Sequence, residues 1–348
     1  MRLGILVNDV ETERPGYTTA RLALTATARD HEVWVTGAGD LAYDADESIR
    51  ARARMVPKAQ YKSHEAYLAD LQGSQARVER ITLDDLDVLL LRNNPAEEPA
   101  SRTWARTAGI EFGRVAMRRG VIVLNDPNAL AIAQNKIYLQ LLPEQARART
   151  QVSIDVGEIR QFISELGGRA VLKPLVGSGG TRVFVVSAEN RANTNQIIEA
   201  LVRDGYVIVQ EYLEQDLEAD TRLFLMNGRP LESKQRYAAF KRSRTAEGSR
   251  SFMHRDQMLV RAELTPEQLR VADMVRPKLV QDGMFLVALD FVGDLIIDIN
   301  VFSPGGLGSA QALEKVNFSV AVIQALERKV AYMGYYRRNF ANVEIATL

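Results

Sequence analysis

The chain has 348 residues, 46% hydrophobic and 25% charged, with Lys plus Arg and Asp plus Glu both at 44. That length supports two or three packed lobes, and the zero formal net charge leaves no global field to draw the chain onto nucleic acid or anionic lipid. No cysteine is present, which excludes disulfides, thiolate nucleophiles and sulfur-bound metals. No apolar run approaches the roughly 20 residues of a membrane span, and Met1 to Asp9 is too short an apolar opening for a signal peptide. A cytoplasmic protein with neither membrane nor nucleic acid as partner is expected.

The first third alternates strand and helix. Leu3 to Val7, Glu32 to Thr36, Asp87 to Leu91 and Val121 to Leu124 are short apolar runs, the pattern of parallel strands buried on both faces. Thr18 to Arg29 and Arg102 to Arg119 have helical spacing, so residues 1–125 read as an open parallel α/β domain. Asn125-Asp126-Pro127 ends it with a turn, and a helix is expected over Asn128 to Leu142.

The pattern then changes. Asp155 can cap a helix over Val156 to Leu166; Ala170 to Pro174 and Val183 to Val186 flank a glycine-rich turn. A helix near Asn193 to Arg203 precedes the strand Tyr206 to Gln210, giving an α+β unit over residues 126–214. Residues 215–330 form a second such unit. In it Asn227-Gly228 joins Leu223 to Met226 with Pro230 to Ser233, and Gly293-Asp294 joins Phe285 to Phe291 with Leu295 to Ile299. Between the hairpins lie an Arg-rich polar stretch, Phe240 to Asp256, and a helix over Thr265 to Gln281. Residues 331–348 are a tail whose Tyr332, Tyr335, Tyr336 and Phe340 are apolar enough to pack.

Three stretches carry chemistry. In the first, a strand delivers Lys173 directly before Val176-Gly177-Ser178-Gly179-Gly180-Thr181, where nearly bare backbone can close its N–H groups onto phosphate oxygens. The same residues also fit a glycine-rich hairpin beside a surface lysine. In the second, Asp298 and Asn300 are two apart on a strand and share a face, and hairpin pairing can set Asp290 opposite them. Two carboxylates and a carboxamide make an all-oxygen site suited to Mg²⁺, although strand-end carboxylates facing water would look similar. In the third, the apolar strand Val207 to Val209 runs into Gln210-Glu211-Tyr212-Leu213, a hinge whose backbone could read an adenine edge, as many strand ends could.

Taken in order, these parts resemble the ATP-grasp superfamily, and within it bacterial glutathione synthetase. The resemblance rests on Asn125-Asp126-Pro127 with Asn135-Lys136, Leu172-Lys173-Pro174 with the glycine loop, Gln210 to Leu213, Asp220-Thr221-Arg222, Asp290 with Asp298-Ile299-Asn300, and Ser303-Pro304. It implies an N-terminal α/β (pre-ATP-grasp) domain followed by an ATP-grasp fold of two α+β subdomains. It implies that ATP is bound by Lys136, Lys173, Gly177, Ser178, Gly179 and Gly180 at the phosphates and by Gln210, Glu211, Tyr212 and Leu213 at adenine, with Asp220 along the pocket. Asp290, Asp298 and Asn300 would hold Mg²⁺, with Mn²⁺ as a substitute. Arg222 and Arg250 would stabilise an acyl phosphate, and Arg92, Ser303 and Pro304 would meet the amino-acid or peptide substrate. A homo-oligomer, dimer or tetramer, is also implied.

Two departures stand out. The family's usual Glu of the metal pair is here Asp298. The loop Ala246 to Asp256 looks closer to ligases that add glutamate to peptides, yet has Phe252 where those have Asn and Asp256-Gln257 where they have Gly-Gly. Three functions therefore stay open. They are glutathione synthetase, a ligase of the same chemistry with another acid or amine, and a nucleotide-binding regulator without turnover. The basic run Lys241, Arg242, Arg244, Arg250 and Arg255 could suit RNA, but it is short in a neutral chain and serves phosphate equally well.

Overall fold

The computed structural model describes residues 1–177, 182–214, 219–244 and 257–348. The N-terminal sheet has seven strands. Its centre is parallel as expected, with Arg2–Val7 between Glu32–Gly37 and Val88–Leu91, and Ile122–Leu124 beyond. Leu3, Ile5, Leu6, Val88, Leu89 and Val123 are buried because helices cover both faces of this centre.

One side of the sheet departs from the all-parallel expectation. Ile49–Met55 joins it antiparallel to Glu32–Gly37 and pairs with Leu41–Tyr43 and Arg77–Thr82. Ile49, Ala51 and Ala53 are buried while Arg50, Arg52 and Arg54 face outward. The period of two is plain in Ile-Arg-Ala-Arg-Ala-Arg, but small alanines between arginines hide its apolar face from a search for apolar runs.

The helix expected over Asn128 to Leu142 is two pieces, Pro127–Ile132 and a 3-10 turn over Lys136–Leu141. Asn135 causes the break. Its side chain accepts from Ile137 N and caps the new turn, while Lys136 N donates to Leu175 O in the middle sheet.

The middle sheet is antiparallel, in the order Phe184–Ser187, Arg169–Pro174, Val207–Glu211, Thr150–Ser153. Asp155 caps Val156–Glu165 by accepting from Glu158 N, as read from the sequence. That helix and Arg191–Val202 cover one face with a core of their own, in which Ile159, Ile163 and Ile198 meet Ala170, Leu172, Val207 and Val209. Alternation turns Lys173, Ile208 and Gln210 to the opposite face.

The C-terminal sheet runs Gln257–Val260, Ala239–Arg244, Ala219–Met226, Leu286–Val292, Leu295–Asn300. Its Asn227-Gly228 turn has φ of 55° and 72°, the left-handed pair that a two-residue hairpin needs. Thr265 and Gln268 form a capping box at the start of Pro266–Gln281, which packs Val271, Val275 and Leu279 onto Leu223, Leu225 and Leu289. The stretch read as a loop from Phe240 is a strand as far as Arg244, and only residues 245–256 lie outside the described parts.

The tail docks. Phe318–Tyr335 packs along Thr18–Thr27, and Asn342–Thr347 closes the exposed edge of Ile122–Leu124. Asn342 accepts from Val123 N at 2.8 Å and donates to Val123 O at 2.9 Å, standing in for a neighbouring strand. Beneath it Lys329, fully buried, donates to Asn227 Oδ1, Ile345 O and Leu348 O at 3.0, 3.0 and 2.8 Å, with its ammonium 5.0 Å from the Phe285 ring centre.

Burial pulls the Lys329 ammonium down to about 7 from its ordinary 10.5. Between those values the unfolded chain binds more protons than the native one, so this group adds stability as pH rises through the window. Lys329→Met removes three hydrogen bonds, of which only that to Leu348 O is backed by a second donor, Asn227 Nδ2 at 2.7 Å, and lowers unfolding free energy by about 2 kcal/mol near neutral pH. Urea unfolding should show the gap between wild type and variant widening from pH 7 to pH 10.

Candidate active site

The middle and C-terminal sheets face each other across a cleft, and their inner faces carry the polar residues that their core faces exclude. Lys173 is almost buried; its Nζ donates to Gln210 Oε1 at 2.6 Å and to Ile297 O at 3.3 Å. Gln210 Nε2 reaches the same carbonyl at 3.4 Å. Two residues of one sheet thus read one backbone carbonyl of the other, at the strand Leu295–Asn300.

Next along that strand, Asp298 accepts from Lys136 Nζ at 2.8 and 2.7 Å. Lys136, Gly177, Asp298, Asn300 and Ser303 line one cavity with Asn94. At the hinge, Glu211 exchanges backbone contact with Arg149, whose N–H also reaches Glu211 Oε2 at 3.2 Å. The Arg169 guanidinium lies 3.8 Å from the ring centre of Tyr212, and Leu213 is half-buried beside it in sequence.

The floor is a charge network. Antiparallel register sets Asp290 directly opposite Asp298, and Arg222 opposite Asp290 on the other side. Arg222 grips Asp290 with both prongs, Nε to Oδ1 at 2.7 Å and Nη2 to Oδ2 at 2.6 Å, and its Nη1 donates to Gly305 O at 3.0 Å. Arg242 Nη2 lies 3.2 Å from Asp290 Oδ2, and its Nε donates to Asp220 Oδ2 at 2.6 Å. Asn300 Nδ2 donates to Asp290 Oδ2 at 3.2 Å.

Burial pushes the Asp290 carboxyl up, but Arg222 and Arg242 outweigh it and hold it well below the usual carboxylate range. For Asp220 burial wins, and its carboxyl is raised from its ordinary value despite Arg242. Arg242 is lowered by burial and raised more by Asp290 and Asp220, so it stays firmly charged.

A second polar group lies at the N-terminal sheet. Arg92 follows Val88–Leu91 and is 7% exposed; its Nε donates to Thr19 Oγ1 at 3.3 Å and its Nη2 to Pro304 O at 3.2 Å. Burial lowers its guanidinium to about 10 and, against the pull of Arg92, raises the neighbouring Glu13 carboxyl to about 7. Arg92 and Arg222 therefore hold successive carbonyls, Pro304 and Gly305, of one loop.

Of the residues singled out in the sequence, Lys136, Lys173, Gln210, Asp220, Arg222, Asp290, Asp298, Asn300 and Ser303 converge on this cleft, with Gly177 at its rim. Arg92 and Pro304 adjoin it from the N-terminal side. Ser178, Gly179, Gly180, Arg250, Phe252 and Asp256 lie outside the described residues. Sequence reasoning missed Arg242 and Glu13. Arg242 stood in a basic run read as a loop, and its pairing with Asp220 depends on the register of two strands. Glu13 lies in a loop with no periodic signal.

A model of the prokaryotic glutathione synthetase N-terminal domain matches residues 1–131, and one of the prokaryotic glutathione synthetase ATP-grasp domain matches residues 135–315. The glutathione synthetase of Gloeobacter violaceus is 29% identical over 322 residues, covering 91% of this chain and 93% of that protein. That of Synechococcus elongatus is 28% identical over 334 residues, covering 95% and 99%. Among solved structures, D-cycloserine synthetase DcsG superposes with a TM-score of 0.62 at 14% identity, over 94% of this chain and 99% of that one. The ATP-grasp ligase PsnB complexed with a precursor variant, Mg and ADP gives 0.61 at 15%, over 94% and 98%. These last two likenesses show the fold.

Removing one partner from a buried charge network leaves the other uncompensated. Arg242→Met strands Asp220 and Asp290 and should cost about 3 kcal/mol of stability near pH 8. Without the guanidinium both carboxyls bind protons more readily in the native state, so the loss shrinks toward pH 5. Urea midpoints of wild type and variant at the two pH values measure it; equal losses at both would show that Arg242 acts by packing alone.

Proposed function

The chain belongs to the prokaryotic glutathione synthetase family of ATP-dependent carbon–nitrogen ligases, and we propose that its own reaction joins γ-glutamylcysteine to glycine. ATP-grasp ligases use ATP with a divalent metal, and Mg²⁺ is the metal proposed here. One observation carries the assignment of the site: Asp290 and Asp298 are paired across adjacent strands, with Lys136 and Lys173 both reaching the strand that carries Asp298.

The donor set fits such a metal. Asp290, Asp298 and Asn300 offer only oxygen, and arginines keep Asp290 ionised. Asp298 and Asn300 are the residues proposed to hold the metal together with Asp290. Bound there, it would offset the charge of the phosphates and of the attacking carboxylate. Lys136 pairs with Asp298. Phosphate oxygens of ATP would compete for that ammonium, leaving Asp298 to serve as a metal ligand.

The rest follows from charge. The cysteinyl carboxylate of the donor attacks the γ-phosphorus, a P–O bond forms, the bond to the β-phosphate oxygen breaks, and ADP departs. Carboxylate and triphosphate repel, so Lys136, Lys173 and Arg222 serve by placing cations where that repulsion is greatest. The neutral amine of glycine then attacks the acyl carbon, phosphate leaves, and the nitrogen gives up one proton to solvent and keeps the other as the amide N–H. No side-chain nucleophile is needed, in keeping with a chain without cysteine. Gln210, Glu211, Tyr212 and Leu213 are proposed to hold adenine, with Tyr212 braced by Arg169. Gly177 to Gly180 and Arg250 are proposed to complete the phosphate side.

Purified protein given ATP, Mg²⁺, γ-glutamylcysteine and glycine should form one glutathione per ADP. ADP release with this pair but no amide would overturn the substrate assignment. Lys173→Ala should weaken ATP binding by calorimetry roughly tenfold or more, the value of one charge-assisted contact. Asp298→Asn should abolish ligation while ATP still binds; turnover at the parental rate in limiting Mg²⁺ would place the metal elsewhere.

A further inference from the structure

In the N-terminal sheet the strand order reverses at Arg2–Val7, which has Glu32–Gly37 on one side and Val88–Leu91 on the other. Crevices beyond the carboxyl ends of such strands are where open α/β sheets bind ligands. Arg92 stands at one of these ends, and Glu13 lies in the loop that follows the other.

Both side chains are poorly compensated. Glu13 Oε2 is buried and has no hydrogen-bond partner among the described residues. A buried carboxylate oxygen without a donor is costly and calls for a partner from outside these residues. The loop beneath it is fixed, since Gln72 Nε2 donates to Val10 O at 2.8 Å and to Glu13 O at 3.0 Å. Arg92 is buried, and among the described residues its donors reach neutral oxygens, Thr19 Oγ1 and Pro304 O. Glu13 and Arg92 attract one another electrostatically, but no donor of Arg92 satisfies Glu13 Oε2. Two opposite charges are thus close enough to attract one another, and one oxygen of the carboxylate is left unpaired among the described residues.

We propose that this pair reads a free amino-acid head on the acid substrate, Arg92 taking its α-carboxylate and Glu13 its α-ammonium. An α-linked peptide has spent the carboxylate of its first residue in the peptide bond, whereas a γ-linked glutamyl group keeps both charges. Glu13 is therefore a specificity residue for γ-linked donors. The other end of the donor is placed by the same loop, because Pro304 is held by Arg92 and Gly305 by Arg222 at the charge network. This rests on the ligase reading above and extends it to the donor's far end.

The test compares γ-glutamylcysteine with glutarylcysteine, which lacks only the α-ammonium and keeps the reacting carboxylate. In wild type, kcat/KM should favour the first donor. Glu13→Gln should cut the ratio between the two donors roughly 10- to 150-fold, the worth of one charge-assisted contact, chiefly through KM. Glu13→Asp, which restores the charge, should recover part of that ratio. ATP affinity measured on each variant reports that the fold is intact. A ratio unchanged in Glu13→Gln, with γ-glutamylcysteine still a good substrate of wild type, overturns the role of Glu13 and leaves the ligase reading standing. Failure of wild type to use γ-glutamylcysteine at all overturns both.

Discussion

Asp290 is 4% exposed and ionised, and much of the C-terminal half is arranged around that fact. A lone carboxylate at such a depth would be protonated or would unfold its surroundings. It is kept charged by a two-pronged contact from Arg222 on the adjacent strand and a second guanidinium from Arg242, one strand further on. Those strands must be in one register, because a slip of one residue would turn Arg222 and Asp220 into the apolar core under helix Pro266–Gln281 and bring Leu223 to the cleft. The network thus specifies the sheet as much as the sheet builds the network.

The cleft is made by two sheets of unequal attachment. The C-terminal sheet shares its cores with the N-terminal domain, whereas the middle sheet has a core to itself, nine buried residues among those described. From its inner face Lys173 and Gln210 both reach one carbonyl across the cleft, Ile297 O. A unit with its own core can shift as a body, which suits a site that must admit a nucleotide and then exclude water from a reactive acyl phosphate.

Charge complementarity organises the N-terminal side in the same way. Arg92 and Arg222, from different sheets, each hold a carbonyl of the Ser303–Gly306 turn, where Gly306 takes a φ of 94° and a Cβ would strike the Phe240 ring. That turn is the seam between the end that would bind the donor's head and the end where its carboxylate would react.

Much of this was legible in one dimension. Continuous apolar runs gave the parallel strands at the centre of the N-terminal sheet, Asp155 and Thr265 marked helix starts, and Asn227-Gly228 marked a hairpin, because each signal is local and set by backbone sterics or capping. The two-residue spacing of Asp298 and Asn300 put them on one face for the same reason. Other features depend on which strands become neighbours. Arg242 lay in a basic run indistinguishable from a solvated loop until its strand paired with Ala219–Met226 and buried it between Asp220 and Asp290. Ile49–Met55 hid its apolar face behind alanines, and Asn135 split a helix by capping a turn whose N–H was claimed by Leu175 O. Glu13 carried no signal, since nothing in a loop sequence says that a carboxylate oxygen will end up buried without a donor. Local backbone and side-chain preferences travel with the sequence; burial, register and electrostatic neighbours are long-range, and exist only once the sheets have packed.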